Sequence, residues 1–173
     1  MSSDEIQDEI QGEIQYERPP ASAVVGDLWF EDFSLGQRIV TAARTVEEPE
    51  ILAFGRAYAN QPYHTDPEAA KASIYGGLIA PGYLTASLTF GLFADTGALA
   101  AAGMGSPGID KLRWHKPVRA GDTLHVEAEI VEVSPAPEPG GRDAVRIAYT
   151  TLNQRGETVM TLSSLHFVRR RPD

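Results

Sequence analysis

The chain has 173 residues, 42% hydrophobic and 23% charged, with no cysteine. That suffices for one good core, excludes disulfides, thiolate metal sites and a cysteine nucleophile, and offers no apolar run of transmembrane length. The net charge of −9 sits mostly in residues 1–32, where nine acids face one base, so the body is nearly neutral and has no basic stripe for nucleic acid beyond Arg169, Arg170 and Arg171.

Residues 1–25 carry DEIQ, DEIQ and GEIQ in succession, then Pro19 and Pro20. Isoleucines isolated among acids and glutamines bury little apolar area. The stretch reads as an acidic, disordered tail ahead of a single domain over 26–173. An acidic start is unlike the basic start of an export signal, and with the lack of cysteine it fits a cytoplasmic protein. A first strand is predicted over 38–43, after the turn-like Leu35, Gly36 and Gln37. Thr45 and Glu48 have capping-box spacing for a helix whose apolar face is Ile51, Phe54 and Tyr58, with Leu52 and Ala57 beside them. A polar loop holding Asn60, Gln61, His64, Thr65 and Asp66 follows. Asp66 before Pro67 is expected to cap a short helix reaching Ser73.

Past Gly76 and Gly77, the residues from Gly82 to about Ala98 are apolar on nearly every side, which predicts a buried helix. Strands are expected over 111–115, 123–131, 144–152 and 159–168. The second alternates clearly, with Leu124, Val126, Ala128 and Ile130 on one face and Thr123, His125, Glu127 and Glu129 on the other. Strand, helices, then a run of antiparallel strands specify an α+β architecture with one long helix packed on a curved sheet. In it, a titratable histidine shares a segment with a helix start whose N–H groups are open. Such a pair can move a proton and polarise a carbonyl.

Three stretches carry a wider likeness: QPYHTDPEAA at 61–70, GGLIAPGYLTASL at 76–88 and LRWHKPVRAGDTL at 112–124. Through them the chain resembles the MaoC-like dehydratases and R-specific enoyl-CoA hydratases of the hot-dog superfamily, over about residues 28–170. The resemblance implies a hot-dog fold, an antiparallel sheet wrapped around a long central helix. It implies a homodimer or higher homo-oligomer with acyl-CoA sites where protomers meet, no metal, and no cofactor beyond the CoA of the substrate. It implies His64 as catalytic acid/base and Gly82 as oxyanion donor. Gly76, Gly77 and Ser87 match positions lining the acyl pocket, although packing explains them equally well. The family's catalytic Asp stands five residues before the His, and here Ala59 occupies that position. Asn60 lies beside it and Gln61 falls where the family usually has Asn or Gln, which makes these two the groups to position water or substrate. Neither can accept a proton at neutral pH.

Each candidate has a plainer reading. His64 can be a histidine bonded to a loop carbonyl, and Gly82 a helix-start glycine after Pro81. His115, His125 and His166 read as structural, and His64 with Asp66 offers two ligands without a third, too few for a metal. The resemblance implies an acyl-CoA hydratase or dehydratase. Ala59 favours the alternative, a non-catalytic acyl-CoA-binding subunit or the partner in a heteromer. A thioesterase comes third, because it normally aims a carboxylate at the thioester.

Overall fold

The structure is a computed structural model that describes residues 25–138 and 140–172. The expected tail, 1–25, lies outside the described residues except for Val25, whose N–H donates to the Thr96 carbonyl at 2.9 Å. The helices are α1 (Glu48–Tyr58), α2 (Pro62–Thr65), α3 (Pro67–Lys71) and α4 (Gly82–Ala94). The strands are β1 (Arg38–Val40), β2 (Arg44–Thr45), β3 (Ile109–Trp114), β4 (Thr123–Ser134), β5 (Ala144–Leu152) and β6 (Thr158–Phe167). They form one antiparallel sheet in the order β1-β4-β5-β6-β3, with β2 also paired to β4.

The alternation expected of β4 is present: Leu124, Val126, Ala128 and Ile130 are all buried. Burying each of Leu124, Val126 and Ile130 contributes roughly 1.5–3 kcal/mol, which fixes the face that meets the core. A register shift between Ile130 and Glu132 lets the strand run on to Ser134, past its expected end. Helix α4 lies on this sheet with Leu84, Ala86, Leu88, Leu92 and Phe93 buried. The rings of Phe90 and Phe93 meet Tyr149 of β5 edge-on at 5.5 and 5.1 Å, and the Thr89 and Thr151 hydroxyls bond at 2.7 Å. The Tyr149 hydroxyl is hydrogen-bonded to Nε2 of His166 on β6. Burial pushes the Tyr149 phenol up and the His166 imidazole down to about 4.

Several boundaries differ from expectation, each for a local reason. The stretch 38–43 is broken, because Thr41 takes over the ladder: its N–H donates to the Val126 carbonyl and its hydroxyl accepts from the Val126 N–H. Thr45 belongs to β2, so the helix start moves to Glu47, whose N–H donates to Glu50 Oε1 at 2.9 Å. The buried face of α1 is Ile51 and Gly55, while Tyr58 is 79% exposed. Helix α4 is not buried all round, since Tyr83, Ser87 and Ala94 form an exposed stripe. It also ends at Ala94: the Thr96 hydroxyl donates to the Phe93 carbonyl and Gly97 turns left-handed at φ 77°.

Candidate active site

A cleft of about 520 Å³ opens between the end of α1, α2, the start of α4 and the segment that follows β3. Its walls include Ala59, Gln61, His64, Gly82, Thr85 and His115. That volume falls in the range of small-molecule sites.

His64 lies on α2, a four-residue helix opened by Pro62, where a loop was expected. Two backbone ties hold it. The Ile79 N–H donates to the Tyr63 carbonyl at 3.0 Å, and His64 Nδ1 bonds the Ile79 carbonyl at 2.8 Å. A carbonyl only accepts, so Nδ1 carries the hydrogen and Nε2 is left with a lone pair. The plain reading of this histidine thus accounts for one nitrogen and leaves the other without a partner among the described residues. The ring is 8% exposed and meets Tyr63 edge-on at 4.5 Å. Gly55 of α1 makes the approach possible: a Cβ there would stand 2.7 Å from the His64 carbonyl oxygen.

Residues 79–80 bridge to the other wall, where the Ala80 N–H donates to the Val118 carbonyl at 2.8 Å. Helix α4 then starts at Gly82, and no side chain caps it. The N–H groups of Gly82, Tyr83 and Leu84 have no acceptor within the helix, so its positive end is open. Gly82 also has a packing role. A Cβ there would lie 2.5–2.9 Å from three indole atoms of Trp114, and the Trp114 Nε1–H donates to the Gly82 carbonyl at 2.9 Å.

The remaining expected residues divide. Ala59 and Gln61 line the cleft, and Gln61 uses its backbone to support the turn, accepting from the His64 N–H at 2.8 Å. Asn60 is exposed beside them, off the lining. Gly76, Gly77 and Ser87 are also off it. Gly77 makes room for Arg119, whose guanidinium donates to the Tyr75 and Leu78 carbonyls, while Gly76 supplies a left-handed turn at φ 64° with open space beside it. The exposed Ser87 hydroxyl donates to the Tyr83 carbonyl at 2.9 Å. Asp66 caps α3 as expected, accepting from the Glu68 and Ala69 N–H groups at 2.9 and 3.0 Å. Among the described residues, no carboxylate lines the cleft.

Lining residues that the sequence did not assign to the site include His115, expected to be structural, Lys116 and Thr85. His115 bonds the Thr161 hydroxyl through Nε2 at 2.8 Å, and Lys116 pairs with Glu157. Hydrogen bonds from Asn153, Lys116 and Arg155 hold the Glu157 carboxyl down to about 2. Thr85 stands one helical turn beyond Gly82, a spacing that the sequence already displays.

A family model, MaoC like domain, matches residues 32–141. Protein MaoC of Klebsiella aerogenes is 34% identical over 99 residues, covering 57% of this chain and 29% of that protein. Mesaconyl-CoA hydratase of Cereibacter sphaeroides is 30% identical over 145 residues, covering 83% of this chain and 41% of that protein. The chain thus spans less than half the length of these two curated relatives. A solved MaoC-like dehydratase from Rhodospirillum rubrum is 39% identical with a TM-score of 0.78, covering 84% of this chain and 99% of that one.

Proposed function

The chain belongs to the MaoC like domain family, and from that premise we propose that it catalyses the reversible addition of water to a 2-enoyl-CoA thioester. The reading rests on one observation: His64, with Nε2 unengaged, and the open start of α4 line the same cleft. Adding water to the enoyl group forms an oxygen–carbon bond at C3 and sends the π electrons towards C2 and the thioester carbonyl. Charge then gathers on the carbonyl oxygen. The α4 N–H groups supply donors and dipole for it, and removing one such donor typically costs about 10²–10³ in rate. His64 Nε2 takes one proton from the water and returns it to C2. Its fixed Nδ1–H keeps the tautomer that this task needs. CoA enters as part of the substrate, with no other cofactor in the scheme. The hydratase relative supports this chemistry by analogy.

Among the described residues the lining lacks a carboxylate, so in this scheme one imidazole serves both proton transfers. The same fact favours a second reading, a non-catalytic subunit that binds an acyl thioester. The two separate on loss of the enoyl group from trans-2-enoyl-CoA thioesters. Wild type should be slow, Ala59→Asp at least about tenfold faster, and His64→Ala inactive, since cooperating groups act as a unit. Binding of the thioester without turnover by either wild type or Ala59→Asp establishes the second reading.

A second copy of the chain completes the proposal. Tyr58, Ile74, Tyr83 and Trp114 are 79%, 95%, 67% and 47% exposed, and three of them also line the cleft mouth. Aromatic surface of that kind beside a site suits a partner surface. Among the described residues no helix is long and apolar enough to cross a membrane, and we place the protein in the cytoplasm.

A further inference from the structure

Among the described residues, the buried hydroxyls of Thr41, Thr89, Thr96, Thr151 and Ser164 all have hydrogen-bond partners. Thr85 is 3% exposed, and its hydroxyl has none. Its backbone is fully used, since its N–H donates to the Pro81 carbonyl at 3.2 Å and its carbonyl accepts from the Thr89 hydroxyl at 2.9 Å. Nor is the oxygen sealed off without a partner. The cleft that Thr85 lines is the space it meets. Leaving a buried hydroxyl unpaired is costly, so a polar side chain in such a place implies an oxygen or nitrogen that comes from outside the chain.

Position selects what that atom is. Residues three apart on a helix are neighbours on one face, so Thr85 sits one turn into the cleft from Gly82. A thioester carbonyl held at the α4 start would therefore leave the acyl carbons beyond it alongside Thr85. Among the described residues, His64 Nε2 is the other polar atom of a buried side chain in the lining that has no partner. A hydroxyl accepts as well as donates, but it is no base at neutral pH. It orients an oxygen whose proton another group removes.

We propose that the Thr85 hydroxyl, together with His64 Nε2, holds the oxygen that is added to C3 of the acyl group. This deepens the reading above and rests on it. In the addition, one water O–H gives its proton to His64 Nε2, and the oxygen–C3 bond forms while the C2–C3 π pair moves to C2. The imidazolium then returns that proton to C2. The second O–H of the water points at Thr85 Oγ1 throughout and becomes the 3-hydroxyl of the product. Thr85 thus offers the oxygen a second anchor in a cleft where no carboxylate among the described residues provides one.

The test compares wild type, Thr85→Val and Thr85→Ser, by calorimetric binding of 3-hydroxybutyryl-CoA and of butyryl-CoA, which lacks the C3 oxygen, and by hydration of crotonyl-CoA. Thr85→Val should weaken 3-hydroxybutyryl-CoA binding about tenfold and leave butyryl-CoA binding unchanged. It should lower kcat about tenfold or more, and Thr85→Ser should restore both. Thr85→Val should melt no lower than wild type, because no protein hydrogen bond is lost. Equal effects on the two thioesters, or none on either, overturn the role of Thr85 and leave the hydratase reading standing. Failure of wild type to bind either thioester overturns both.

Discussion

Gly82→Ala tests whether the α4 start and the indole of Trp114 are fitted to one another. The added Cβ would stand 2.5, 2.7 and 2.9 Å from three ring atoms, against an ordinary carbon contact of about 3.5 Å, so the ring must retreat by about 1 Å. That movement stretches the 2.9 Å bond from Trp114 Nε1 to the Gly82 carbonyl beyond hydrogen-bonding range. Losing the bond costs about 1 kcal/mol, and overpacking adds roughly 1–3 kcal/mol, at the low end here because the indole is half exposed. Removing a glycine from a helical position returns up to about 1 kcal/mol through the unfolded chain. The net loss is about 1–2 kcal/mol, or roughly 3–6 °C in melting temperature for a chain of this size. A double-mutant cycle with Trp114→Ala separates the terms. In that background the clash is gone and Gly82→Ala should stabilise by about 0.5–1 kcal/mol, giving a coupling of about 2 kcal/mol. Thermal melts of the four proteins measure it. Additivity within about 0.5 kcal/mol would refute the idea that this glycine exists to admit the indole.

Gly55→Ala should lower stability by about 2 kcal/mol and hydration activity at least tenfold, because the neighbour 2.7 Å away is the His64 backbone and cannot swing aside; melts and enoyl-CoA assays read the two effects. Asp66→Ala removes two N-cap bonds and should cost about 1 kcal/mol, whereas Asp66→Asn should cost little. The His166 imidazole titrates near 4 in the folded chain against 6.5 ordinarily, so the unfolded chain binds more protons between those values. Its contribution is intact above pH 6.5, declines as pH falls to about 4, and amounts to at most about 3 kcal/mol. Melting temperature against pH should therefore fall more steeply for wild type than for His166→Gln, and parallel curves would count against the buried neutral imidazole.

Much of the frame could be read from the chain because its causes are local. Alternation along β4, the apolar run of α4 and Asp66 ahead of Pro67 each involve residues within a few positions of one another, and all three begin where expected, although α4 stops at Ala94 and β4 runs on to Ser134. The family likeness rests on contiguous stretches for the same reason. The expectations that slipped were those set by distant partners. Strand β1 stops because Thr41 engages Val126, 85 residues away, and the buried face of α1 includes Gly55 because the His64 backbone packs against it. The site itself belongs to this second kind. Which nitrogen of His64 is left open depends on Ile79, 15 residues on, and the reason for glycine at 82 is an indole 32 residues on. That, among the described residues, the Thr85 hydroxyl stands alone while the other buried hydroxyls are paired is a property of the packed core. Spacing along a chain sets which face a side chain shares, but only packing decides what it meets there.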